Sequence, residues 1–124
     1  MCQSSVLLDL FSELGLTHDC NHFIPFRSGV GCRPWQHWNR MLKIPYFWED
    51  DIEAMQSDSF NIGSLINFSG LKVFDFHPIH VFLNTEALDR YEKSRPFHRD
   101  KNLLIEAFNR HSFGVLDALK LLTS

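Results

Sequence analysis

The run Val73-Phe74-Asp75-Phe76-His77-Pro78-Ile79-His80 holds the densest chemistry in this sequence. Side chains alternate along a strand, so Asp75 and His77 share one face while Phe74 and Phe76 share the other. Two polar groups facing inward from an apolar strand suit a strand whose C-terminal end opens on an active site. Pro78 has no N–H and ends the ladder, which leaves His77 at the strand tip. An imidazole with an ordinary pKa of about 6.5 can give or take a proton near neutral pH. Asp75 could hold its tautomer if the backbone twists enough, and the competing reading is a satisfied interior histidine. The HxxH spacing also invites a metal site. Residues i and i+3 point to opposite sides of a strand, so His77 and His80 converge only if the chain turns sharply after Pro78.

Two further clusters carry acids and bases. Trp48-Glu49-Asp50-Asp51 follows the apolar segment KIPYFW, where a carboxylate could orient a neighbouring histidine or a metal-bound water. Helix capping by Asp50, with Glu53 three residues on, explains most of this cluster without catalysis. Upstream, Thr17-His18-Asp19-Cys20-Asn21-His22 places His18, Cys20 and His22 on one side and Thr17, Asp19 and Asn21 on the other. Adjacent strand residues face apart, which disfavours a Cys20–His nucleophile pair. Asp19 and Asn21 read better as polar lining of a pocket.

The elements that must position these groups are short. A helix with Val6, Leu7, Leu10, Phe11 and Leu14 on one side is expected behind Ser4 or Ser5, stopped by Gly15. Leu16 to Phe26 reads as a strand running into a loop, and residues 27–40 as loop with Trp35 and Trp38 as anchors. Ile52 to Gln56 reads as a short helix, residues 57–70 as ambiguous, and Leu71 to His77 as the clearest strand. Helices are expected over Thr85 to Lys93 (capped by Asn84 or Thr85), Asp100 to Arg110 (capped by Asp100) and Ser112 to Leu122. Helices alternating with buried strands predict an α/β fold with a largely parallel sheet.

Composition bounds the function. A chain of 124 residues allows one ordinary domain, and 44% hydrophobic against 22% charged residues excludes a disordered tail. The net charge of −3 offers no basic excess for a phosphate backbone, so nucleic acid is not expected as a partner. Three cysteines without a CxxC pair make neither a disulfide framework nor a zinc knuckle. A reducing cytoplasm is the expected location, because MCQSSVLLDLFSELG lacks a basic head and carries Asp9 and Glu13, unlike a signal peptide or membrane span. The twelve Phe, three Trp and two Tyr either fill a core or line a groove for the C–H faces of a sugar.

Taken in order, THDCNHFIPF, KIPYFWEDD and GLKVFDFHPIHVFLN resemble the C-terminal half of a polysaccharide deacetylase, in the branch found with bacterial surface-polysaccharide genes. The likeness spans about residues 1–95 and is most specific from Gly70 to Asn84. It implies a distorted (β/α) barrel and a divalent metal, usually zinc, held by an Asp and two His from the barrel's first half. By the same resemblance His77 matches a late-strand general acid, Asp50 and Asp51 fall in the acidic motif behind the active site, and Asp19 falls more loosely in a groove-lining strand. Such a barrel typically needs about 200 residues or more. Residues 1–124 are therefore expected to form one incomplete deacetylase-like domain, a partial (β/α) barrel without its first half.

The expected catalytic residues are His77, Asp75 and Asp50, with Asp19, Asn21, Trp48 and His80 contacting substrate and the metal ligands lying outside this chain. The expected partners are an acetylated polysaccharide or oligosaccharide and a complementing chain or second copy, the chain alone being inactive and prone to self-association. Two other functions compete: a non-catalytic module gripping a sugar with Trp35, Trp38 and Trp48, and a small metal-binding protein using His77, His80 and a carboxylate such as Asp75.

Overall fold

The computed structural model describes residues 4–56 and 62–124. The chain is mixed α/β, with short strands and helices in two compact units, Met1–Trp48 with Ser69–Val73 and Glu49–Phe68 with Phe74–Ser124. Residues 57–61, part of the stretch expected to be ambiguous, lie outside the described residues.

The first unit opens with α1 (Ser5–Glu13), whose start is set by Ser4 accepting the Leu7 N–H at 3.1 Å. Its expected apolar side does not face a core in this chain. Val6, Leu7, Leu10 and Leu14 are exposed, Val6 at 76%, and Leu8 is the residue of α1 that is buried. The helix is tied instead through polar bonds to the turn after β2: Trp38 Nε1 donates to Asp9, and Asn39 Nδ2 donates to the Leu8 carbonyl, each at 2.9 Å.

The sheet of this unit is built on the KIPYFW segment. Its three strands β1 (His18–Asp19), β2 (Trp35–Gln36) and β3 (Leu42–Lys43) run in the order β1-β3-β2. The β1–β3 pair is parallel and the β2–β3 pair antiparallel, so the largely parallel sheet is corrected to a mixed one. Alternation explains why the strands are so short. The N–H groups of Leu42, Ile44 and Tyr46 all turn toward residues 17–22 and donate to the carbonyls of Thr17, Asp19 and His22. On the opposite side Lys43 pairs with Trp35, Pro45 offers no donor, and Phe47 donates to Val73, so pairing with β2 cannot continue.

One buried charge anchors this arrangement. Lys43 is 1% exposed, and its ammonium donates to the Asp19 carboxylate at 2.6 Å and the Asn21 carbonyl at 2.9 Å. Burial raises the Asp19 carboxyl, but the Lys43 hydrogen bond, the Asn21 N–H and the Lys43 and His37 charges outweigh it and hold Asp19 below its ordinary value. Asp19 is thus a buried counter-ion rather than groove lining, and the Asn21 carbonyl and N–H serve the same bond set.

The second unit begins at Glu49, the end of β4 (Trp48–Glu49), whose partner in a two-stranded ladder is β5 (Phe74–Asp75). It contains α2 (Asp50–Gln56), α3 (Gly63–Ile66), α4 (Pro78–Leu83), α5 (Leu88–Ser94), α6 (Lys101–Glu106) and α7 (Val115–Thr123). Phe74 and Phe76 stack with centroids 6.5 Å apart, as the alternation predicts. Helix α6 is capped by Asp100 as expected, whereas α5 begins at Leu88 rather than Thr85. The core holds Ile62, Leu65, Leu83, Leu104, Val115 and Ala118. A buried amide clamp ties α4 to α7: Asn84, in the left-handed region at φ 50°, accepts the Leu116 N–H and donates to the Asn109 carbonyl and Asp117. Gly114 is required beside it, since a Cβ there would lie 2.2 Å from the Asn84 carbonyl oxygen.

The Lys43–Asp19 pair gives a direct test. Asp19→Ala leaves a buried ammonium without its carboxylate and should cost about 3 kcal/mol or more, while adding Lys43→Met should recover most of that loss. The Asp19 contribution is present above its ordinary pKa and disappears as pH falls through the lowered folded value. Denaturant melts of the two variants check this, and a neutral Asp19→Ala would refute it.

Candidate functional site

The site lies in the second unit, where the start of α4 meets the start of α2. Pro78 does not merely end a strand. It occupies the first turn of α4, where a missing N–H costs nothing and its fixed φ favours the helix. The expected strand from Leu71 to His77 is reduced to Phe74–Asp75, and His77 becomes the extended residue before the helix, at φ −87° and ψ 129°. This converts HxxH from opposite strand faces into one turn of helix. The His77 and His80 rings meet edge to face, with centroids 5.9 Å apart and planes at 88°.

Asp50, the first residue of α2, holds His77 at two points. Oδ2 accepts the His77 backbone N–H at 2.8 Å, and Oδ1 lies 2.6 Å from Nδ1. Asp50 is fully buried, whereas the His77 side chain is 41% exposed, so one edge of the ring is fixed and the other is open. Asp50 is thus the first residue of α2 and directs both of its oxygens to His77. Asp75 does not bond the imidazole; that task falls to Asp50, 27 residues away in sequence.

The electrostatics follow from this geometry. Burial opposes charge on the His77 ring, but the Asp50 hydrogen bond and then the Asp50, Asp51 and Asp75 charges prevail and raise its pKa. Burial also pushes the Asp50 carboxyl up, and the His77 bonds take back only part of that. A bonded carboxylate ordinarily falls, so the two shifts pull in different directions. A backbone N–H can only donate, which requires Asp50 to accept, and the raised imidazole is the shift this geometry supports.

The other expected site residues divide. His80 is 3% exposed, bonds Thr85 Oγ1 through Nδ1 at 3.1 Å, and packs on Tyr91 at 4.8 Å. Burial lowers its pKa against the opposing Asp50 charge, so it forms a neutral wall behind His77 rather than a substrate contact. Thr85 and Tyr91, which the sequence did not mark as site residues, supply its support. Trp48, expected to touch sugar, is 1% exposed and packs in the first unit, with no ring face free. Asp19 and Asn21 belong to the first unit's ion pair.

Carboxylates crowd His77. Donor atoms of Glu49, Asp75 and His77 all lie within 4.8 Å of one another, and so do those of Asp50, Asp51 and His77. Asp51 Oδ1 is buried with no hydrogen-bond partner among the described residues. An imidazole nitrogen with two carboxylate oxygens has the chemistry to hold a divalent cation. It is a different set from the Asp and two His that the family likeness implies, which are expected outside this chain.

Removing the Asp50 charge tests the coupling. Asp50→Asn should lower the His77 pKa in an NMR titration. A raised imidazole contributes stability below its ordinary value near 6.5 and loses it as pH climbs through the raised folded value. The stability gap between parent and Asp50→Asn should therefore narrow with rising pH over that window. A gap independent of pH would contradict the pairing.

The family model described as WbmS-like polysaccharide deacetylase matches residues 1–95. A solved structure from Bordetella bronchiseptica, WbmS, described as a polysaccharide deacetylase involved in O-antigen biosynthesis, is 37% identical with a TM-score of 0.81. The match covers 98% of this chain and 51% of that one, so this chain spans about half the length of its relative. No curated protein matches. No helix among the described residues is long and apolar enough to cross a membrane. With its family model matched over most of its length, the chain belongs to the WbmS-like polysaccharide deacetylase family.

Proposed function

We propose that this chain is the C-terminal portion of a metal-dependent deacetylase that removes acetyl groups from a polysaccharide, with His77 as general acid and Asp50 as the residue that orients it. The observation that carries this reading is the 2.6 Å contact between His77 Nδ1 and the buried Asp50 carboxylate. With Nδ1–H donated to Asp50, Nε2 is the nitrogen left on the open side of the ring. The raised pKa keeps a proton on that nitrogen near neutral pH. As water adds to the acetyl carbonyl and the tetrahedral centre collapses, His77 Nε2 gives its proton to the departing sugar nitrogen or oxygen, and acetate is released. Asp50 stays a carboxylate throughout and stabilises the imidazolium. Asp75 and Asp51 add negative charge that favours the protonated ring. A divalent cation, zinc by family likeness, supplies the Lewis acid and activates the water when bound.

The same reading assigns residues 1–124 to one incomplete domain, a partial (β/α) barrel working in the cytoplasm, with the cation's ligands on the other half. Two observations support it: the relative is twice as long, and the apolar side of α1 stands bare at Val6, Leu10 and Leu14. A complementing chain would cover that side. Aromatic sugar contacts, if they come from this chain, fall to Trp35 and Trp38, whose rings are exposed.

A second reading is favoured by the donor clusters. Glu49, Asp75 and His77 would together hold the cation within this chain, and His77 would then be a ligand rather than an acid.

Acetate release from an acetylated oligosaccharide separates the two. The chain supplied with the missing half should turn over, and His77→Ala should lower turnover at least about a hundredfold with bound cation unchanged. Turnover should also fall as pH rises through the raised His77 pKa. Unchanged turnover in His77→Ala would defeat the assignment, and stoichiometric zinc on the isolated chain, lost in His77→Ala and Asp75→Asn, would establish the second reading.

A further inference from the structure

A basin of about 500 Å³ opens in the second unit, lined among others by Asn84, Phe108, Arg110, His111, Phe113 and Lys120. The whole chain is negative, yet this rim carries two permanent cations and a histidine. Among the described residues Arg110 and Lys120 have no carboxylate partner. The one carboxylate in the lining, Asp117, is tied through Oδ2 to the Asn84 amide at 2.9 Å and the Gly114 N–H at 3.2 Å, so the two cations of the rim outnumber it.

The rim is held in place rather than loose. Arg110 donates to the Phe108 and Ile105 carbonyls, and its guanidinium lies 5.5 Å from the Phe108 ring centroid. Asn109 fixes the loop by accepting from the His111 and Ser112 N–H groups while its own amide donates to the Ser112 carbonyl. Phe113 stands 46% exposed, an aromatic face beside the cations. A flat apolar face next to fixed positive charge suits a sugar ring bearing an acidic group. Asn84 ends the helix that begins just after His77, and seven residues at helical rise put Asn84 about 10 Å from His77. A short stretch of polysaccharide reaches that far.

We propose that this basin is a subsite for an acidic sugar residue, one carrying a carboxylate or a phosphate, of the polysaccharide being deacetylated. The proposal rests on the reading of the substrate as a glycan. The basin's cations follow residue 95, beyond the stretch matched by the family model.

NMR titration of the 124-residue chain with glucuronate, glucose phosphate and glucose tests it. At least one anionic probe should shift the Phe113 and Lys120 resonances and bind about tenfold or more tightly than glucose, more weakly as salt is added. Preference between the two anions distinguishes a uronic from a phosphorylated residue. Arg110→Gln with Lys120→Gln should reduce anion binding to the level of glucose; both side chains are exposed, and an unchanged melting temperature checks that the variant folds. Lys120→Gln alone should move affinity the same way. Equal binding of all three probes, no binding, or anion binding that survives the double variant would overturn the subsite. Binding is read without turnover, so an anion held here by a chain that supports no deacetylation even when supplied with the missing half would sink the deacetylase reading and spare the subsite.

Discussion

A carboxylate with no access to water, Asp50, faces a histidine that keeps an open edge, and the start of α4 is built on that contact. Burying a charge is costly unless hydrogen bonds compensate it, and His77 supplies two, one from its backbone and one from its ring. The backbone bond matters as much as the ring bond. It fixes the residue that precedes α4, so the imidazole starts from a set backbone position and the ring bond has only its side-chain rotation to restrain. Pro78 assists by giving that helix a rigid first turn. His80, kept neutral by burial and braced by Thr85 and Tyr91, closes the space behind the ring.

The first unit solves a different problem with the same physics. A parallel alignment of residues 17–22 with the segment after Met41 needs its edge fixed against slippage, and a buried lysine bonded to Asp19 and the Asn21 carbonyl does so. The polar groups of THDCNH that look like pocket lining are therefore spent on structure. His22 and Trp35 meet edge to face beside them, with centroids 5.3 Å apart.

Much of the local geometry was legible. The period-two face of Phe74 and Phe76 and the Asp100 cap followed from spacing and side-chain chemistry alone, and Ser4 was one of the two caps that spacing allowed. The pairing of Asp50 with His77 was not, because periodicity says nothing about groups 27 residues apart. Pro78 carried its own signal, since proline favours a helix's first turn as much as it ends a strand. Trp48 and α1 misled in opposite senses: an aromatic beside acids proved fully buried, and a helix with a well-formed apolar stripe turned most of it outward. A stripe shows that a partner surface is needed, not that the same chain provides it.

The central claim is that Asp50 holds His77 with Nδ1 protonated, leaving Nε2 to act. Nitrogen-15 spectra of the imidazole above its titration range read the neutral tautomer directly. The account requires the Nδ1–H form in the parent and its loss in Asp50→Ala. An Nε2–H tautomer in the parent would contradict it.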